Sequence, residues 1–201
     1  MTDLPEALES PYLLMLQKGA SKIPAGYFRV AMHSTTDVLK GERVIAYELY
    51  HQIRNLQGRD GADELNAVVL HAEVDKGRHP DAERRFSPDL LFHAPGMHAR
   101  NALAVELKAS LDPRGIRKDI RTLRRLRAEP FRYDVGALAV FGKPMDQLAA
   151  ALRDALRVCG RNPLDGRILV VAVPEKGRVI VGMLENYYSP RRQRGATASV
   201  A

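Results

Sequence analysis

Among 201 residues there is one cysteine, Cys159, and no tryptophan. A lone thiol cannot close an intramolecular disulfide, and a zinc site built from several cysteines is excluded with it. This usage fits a reducing compartment, and a cytoplasmic location is expected. Long apolar runs are also missing. The stretch 168–173 is typical of the longest, against the roughly 20 residues needed to cross a bilayer, so no membrane association is expected. Near the start, Asp3, Glu6 and Glu9 stand where a secretory signal would carry basic residues. No internal repeat is visible. Nor is there a Gly-rich phosphate loop, a Ser-His-Asp order or the setting of a nucleophilic cysteine. The histidines His71, His79, His93 and His98 lack the helical spacing of a zinc ligand pair, and ordinary polar or half-buried roles are expected of them.

What is present is a globular composition. Hydrophobic residues make up 45% and charged residues 27%, which argues against disorder over most of the chain. The length suits one domain. The departure from the ordinary is the charge: 31 Lys and Arg against 24 Asp and Glu leave +7, with a pI near 9.7. A basic protein of this size commonly meets a polyanion, nucleic acid first, although charge also serves plain solubility. Its distribution decides which.

Apolar periodicity gives the layout. Residues 1–35 read as an N-terminal arm in which Ser10-Pro11 opens a short helix. Between 36 and 56, Val38, Ile45, Leu49, Ile53 and Leu56 recur at helical spacing. Strands are expected at 67–74, 89–93 and 102–108, with Gly- and Pro-containing connections between them. Asp112-Pro113 starts a second helix, as an N-cap followed by proline in the first turn. A strand at 135–141, a helix at 145–158 and a hairpin of 167–173 with 178–184 follow. The segment 189–201 reads as a mobile basic tail. The fold class is α/β (α+β): one domain over 36–188 with a central mixed sheet flanked by helices, in the order α-β-β-β-α-β plus an extra helix and a C-terminal hairpin.

Three residues carry the chemistry. Asp89 follows Pro88 at the start of one expected strand, and Glu106 and Lys108 end the next. Strand side chains two apart share a face, so Glu106 and Lys108 point together and Leu107 points away. A hairpin pairing of the two strands brings Asp89 beside them. Two carboxylates at one spot repel unless something neutralises them, as a hard divalent cation would. Mg²⁺ typically takes one or two carboxylates and keeps its waters. A metal so held polarises phosphate and activates water, and a nearby lysine stabilises the developing charge. The plainer reading is a turn residue after a proline and a weak surface ion pair.

The segments Phe86-Ser87-Pro88-Asp89-Leu90-Leu91-Phe92-His93 and Asn101-Ala102-Leu103-Ala104-Val105-Glu106-Leu107-Lys108 resemble the PD-(D/E)XK, or restriction-endonuclease-like, nuclease superfamily. The resemblance covers roughly 39–141, where the element order is also similar. It implies a restriction-endonuclease-like core and Mg²⁺-dependent hydrolysis of phosphodiesters in DNA, with Mn²⁺ able to substitute. Asp89 and Glu106 would ligate the metal, and Lys108 would assist the attacking water. Many members add a glutamate from the first helix. Glu42, in Gly41-Glu42-Arg43, is the better match and lies close to the apolar stripe; Glu48 is the runner-up, and Glu73 on the first strand is a further neighbour.

The charge is local. Residues 113–132 hold eight basic side chains against two acidic ones, the tail adds three, and the remaining chain is slightly acidic. Arg117, Arg121, Arg124 and Arg125 form one helical stripe beside the apolar face, suited to tracking a phosphate backbone. A solvated helix face is the plainer account. The expected partner is nucleic acid, DNA first, with a homodimer or a partner subunit possible. The competing functional reading is a catalytically silent nucleic-acid-binding or regulatory module on the same fold, or an interaction module whose arginine helix meets an acidic partner protein.

Overall fold

The computed structural model describes residues 10–29, 37–59, 68–73, 87–94 and 101–188. Helices α1 (Pro11–Ser21) and α2 (Asp37–Arg59) precede strands β1 (Val69–Ala72), β2 (Leu90–His93) and β3 (Asn101–Lys108). Then come α3 (Pro113–Arg127), β4 (Val135–Phe141), α4 (Met145–Cys159), β5 (Ile168–Glu175) and β6 (Arg178–Met183). The six strands form one sheet in sequence order, β1-β2-β3-β4-β5-β6. The pairs β1–β2, β2–β3 and β5–β6 are antiparallel. The pairs β3–β4 and β4–β5 are parallel, because α3 and α4 carry the chain back across the sheet between them. The protein is thus α/β, a mixed sheet with helices on both faces, as expected from the order of periodicities.

Strand alternation sorts the core into two layers. Leu90, Phe92, Leu103, Val105 and Leu107 face α1 and α2, where they meet Leu13, Leu16, Ile45, Leu49 and Ile53. Leu91, Ala104, Leu138 and Val140 face α3 and α4, against Ile116, Ile120, Leu123, Leu148 and Leu152. All seven residues of β4 are buried, as expected for a central strand covered on both faces. Each fully buried aliphatic side chain contributes about 1.5–3 kcal/mol relative to exposure.

The helix in the N-terminal arm is longer than the short stretch expected there, and it belongs to the first core layer. Ser10 caps it by accepting a hydrogen bond from Leu13 N at 3.1 Å. It crosses α2 so closely that a Cβ on Gly19 would stand 2.7 Å from Ile53 Cγ1. The expected strand 67–74 is shorter at both ends. Glu73 has φ +49°, which breaks the alternation of β1 just after Ala72. The tail 189–201, the connections 76–85 and 95–100, and His79 and His98 lie outside the described residues. Among the described residues, no helix is long and apolar enough to cross a membrane.

Candidate active site

The register of β2 on β3 sets the geometry. Leu90 pairs with Val105 and Leu91 with Ala104. One step further, Asp89 stands opposite Glu106. Both residues share the alternation of Leu91 and Ala104, so they belong to the face covered by α3. Asp89 Oδ2 accepts a hydrogen bond of 2.6 Å from Leu107 N, which fixes this carboxylate to the end of β3. Asp89 O in turn accepts from Glu73 N at 3.1 Å, which holds the turn into β2 to the end of β1.

Glu106 is only 6% exposed. Burial pushes its pKa well above the ordinary carboxylate range, and the nearby Asp89 and Asp119 carboxylates push it further, against a smaller pull from Lys108 and Lys118. Burial also raises Asp89, although the Leu107 N–H and Lys108 hold it back.

Lys108 leaves the strand end and is gripped from both helical layers. Its Nζ lies 3.1 Å from Glu42 Oε2 on α2 and 2.9 Å from Asp119 Oδ2 on α3. Burial works against the ammonium, but Asp119 and Glu42 outweigh it and hold the pKa above lysine's ordinary range. Glu42 also accepts from Ala109 N at 3.2 Å and from Ser110 Oγ at 3.3 Å, so one carboxylate binds three consecutive residues where β3 ends. Asp119 is 1% exposed, and burial pushes it up to about 6 despite its lysine partner. Gly115, in the first turn of α3, leaves room for this arrangement. A Cβ there would stand 3.1 Å from Asp112 Oδ2 and 3.3 Å from Lys108 Cε.

The structure thus gathers Asp89, Glu106, Lys108 and Glu42 at one end of β3. The other two acidic candidates are engaged elsewhere. Glu48 accepts from Tyr27 Oη at 3.1 Å and from Gln52 Nε2 at 2.7 Å. Glu73 is exposed and pairs with Arg43 at 3.3 Å. Asp119 is the site residue that the sequence reading passed over. Its signal was its phase, since it shares the apolar stripe of Ile116, Ile120 and Leu123. An acidic residue in such a stripe is either a costly defect or a partnered group.

The arginine stripe divides. Arg124 Nε and Nη2 each donate to Asp165 at 2.8 Å, and the guanidinium also reaches Cys159 O, Gly160 O and Tyr188 Oη. It ties α3 to the end of α4 and to the turn Pro163–Arg167. Arg117 is half-buried and Arg121 exposed, and neither has an ion pair among the described residues. Arg125 is half-buried and has interactions of its own.

For a metal, the donor set consists of Asp89 and Glu106. Among the described residues no three His, Cys, Asp or Glu side chains gather closely enough to enclose an ion. Two carboxylates, of which Asp89 has one oxygen engaged by Leu107 N, are the number that Mg²⁺ takes while keeping several of its own waters. His71 Nδ1 and His93 Nε2 lie 2.8 Å apart and bond to each other, rather than opening toward a shared ligand. No family model matches this chain, and neither does any curated protein or solved structure.

Proposed function

We propose that this chain is a Mg²⁺-dependent nuclease with a restriction-endonuclease-like core, hydrolysing phosphodiester bonds in DNA. The observation that carries the reading is Glu106: a carboxylate on a residue only 6% exposed, facing two further carboxylates, Asp89 and Asp119. Such a group is unfavourable as structure alone and calls for a proton or a cation. A bound Mg²⁺ would polarise the phosphate and lower the pKa of its water.

The chain's own residues do the rest. Asp89 is oriented by the Leu107 N–H, which engages one oxygen and leaves the other for the ion. Lys108 holds its proton firmly, so it acts as a fixed positive charge toward the attacking oxygen or the phosphate. Glu42 and Asp119 position that ammonium from opposite layers of the sheet. The exposed Arg121 and the half-buried Arg117 on α3 supply phosphate contacts to the flanking strand.

The expected outcome is cleavage of DNA in Mg²⁺ or Mn²⁺ that stops with EDTA and is lost in Asp89→Ala and Lys108→Ala, with circular dichroism showing both variants folded. Cleavage unchanged in both would remove the assignment. The alternative, a silent binding module, is favoured by one feature: Lys108 is already committed to two carboxylates. It requires DNA binding in Mg²⁺ and Mn²⁺ without any cleavage.

A further inference from the structure

Helix α3 turns one flank to the candidate active site and the other to α4. Two contacts fix this. Gly115 packs against the site, where a Cβ on it would stand 3.3 Å from Lys108 Cε. Arg124 points the other way, to Asp165 and to Cys159 O at the end of α4. At 3.6 residues per turn, Lys118 falls on the Gly115 flank, three residues further on, whereas Arg117 falls in line with Arg124. The basic stripe is therefore two rows, and the row with Lys118 is the one that borders the carboxylates.

Lys118 is placed to reach them. Its sequence neighbour Asp119 is buried in the site, on Lys108. Helical side chains lean toward the preceding turn, so the Lys118 stem runs over Gly115, where no side chain stands between it and the end of β3. Lys118 is exposed, and it has no ion pair among the described residues. Its charge favours the ionised forms of Asp89, Glu106 and Asp119 alike, in keeping with a position beside all three.

The site has work for such a cation. Asp89, Glu106, Asp119 and Glu42 face one ammonium, Lys108, which two of them already hold at 2.9 and 3.1 Å. Four ionised carboxylates against one ammonium leave three formal negative charges. A divalent ion would cancel two of them, and a phosphate would still be repelled until one more cation was present.

We propose that Lys118 binds a phosphodiester at the mouth of the carboxylate cleft, and that Arg114 and Arg121 continue the contact along the same exposed face of α3. These three residues span about 10 Å of the helix, the axial rise of about three successive phosphates of one strand. The ligand is thus a nucleic-acid backbone laid along α3, with Lys118 on the phosphate nearest the carboxylates. The proposal rests on the nuclease reading only for the phosphate that reacts; the binding site itself does not require cleavage.

The probe is a fluorescein-labelled DNA duplex, titrated with the full chain in EDTA and followed by anisotropy over a series of salt concentrations. Lys118→Gln should bind about fivefold more weakly than wild type and lower the slope of log affinity against log salt by about 1. Lys18→Gln, the same charge change at an exposed lysine of α1 over the opposite face of the sheet, should leave both at the wild-type value. A second arm measures Mn²⁺ affinity by electron paramagnetic resonance without DNA. Removing a cation from beside the carboxylates should tighten Mn²⁺ binding about two- to fivefold in Lys118→Gln. Affinity and salt slope in Lys118→Gln equal to those of Lys18→Gln would overturn the proposal, as would Mn²⁺ bound equally well with and without Lys118. DNA that fails to bind the wild type at low salt would also overturn it, leaving α3 to an acidic protein. A chain that binds no Mn²⁺ and cuts nothing, yet loses DNA affinity in Lys118→Gln and not in Lys18→Gln, would keep the phosphate site and dismiss the nuclease reading.

Discussion

Glu106 and Asp119 place two raised carboxyl groups within one layer of the core, and this has a measurable cost. A carboxyl group whose folded pKa lies above its unfolded value contributes stability below the unfolded pKa and loses it as pH rises through the folded one. For Asp119 that window runs from about 4 to about 6; Glu106 shifts in the same direction. In the absence of metal, the urea midpoint of the wild type should therefore fall between pH 4 and pH 7. Glu106→Gln removes a charge that burial and the neighbouring Asp89 and Asp119 carboxylates disfavour. It should be more stable than wild type by about 0.5–2 kcal/mol at pH 7.5, with the advantage shrinking toward pH 4. A variant less stable than wild type at both pH values would contradict this account of Glu106. The pairing of Asp89 with Glu106 and Lys108 was legible in the sequence, because strand alternation has a fixed period. Asp119 was legible in principle from its phase on the helix, but it was counted only as a charge against its arginines. Gly115 carried no sequence signal, since its role is the space it leaves for a lysine stem seven residues earlier.

At the scale of elements, α3 has two different jobs that its sequence presents as one stripe. Arg124 faces Asp165, which is 2% exposed, so Arg124→Ala would leave a buried carboxylate without its cation, held only by Tyr188 Oη and Asn162 N. Breaking such a pair from one side costs about 3–5 kcal/mol. The expected result is a large fall in urea midpoint for Arg124→Ala. Arg121→Ala should leave stability within about 0.5 kcal/mol of wild type. Nucleic-acid affinity should show the reverse order at matched folding. Arg121→Ala lowers it and reduces the slope of log affinity against log salt by about 1. If Arg121→Ala leaves both affinity and salt slope unchanged, the exposed side of α3 is not a phosphate contact. The helix, its Asp112 cap and its apolar stripe were readable from spacing alone. The capture of Arg124 was not, because Asp165 lies 41 residues away and is reached only after β4 and α4 have been placed.

Over the whole molecule, the order of elements followed from where the apolar period changed between two and 3.6. The strand order is the sequence order, so no long-range rearrangement of strands hid behind it. What the pattern left open was which helix glutamate reaches the strand end. Proximity to the apolar stripe pointed to Glu42, and the placement of Lys108 between two layers is what makes that glutamate count. The burial of β4 also has a consequence for the birth of the protein on the ribosome. β4 is Val-Gly-Ala-Leu-Ala-Val-Phe, uncharged and free of proline. One of its two parallel neighbours, β5, emerges only after α4. A nascent chain ending near Gly142 therefore exposes an unpaired, sticky strand edge of the kind that templates aggregation. Released at that length, the chain should pellet on centrifugation, whereas one ending after Met183, with β5 and β6 in place, should stay in the supernatant. The most sheltered strand of the finished protein is thus its most vulnerable one during synthesis, and its safety depends on how quickly about thirty further residues follow it.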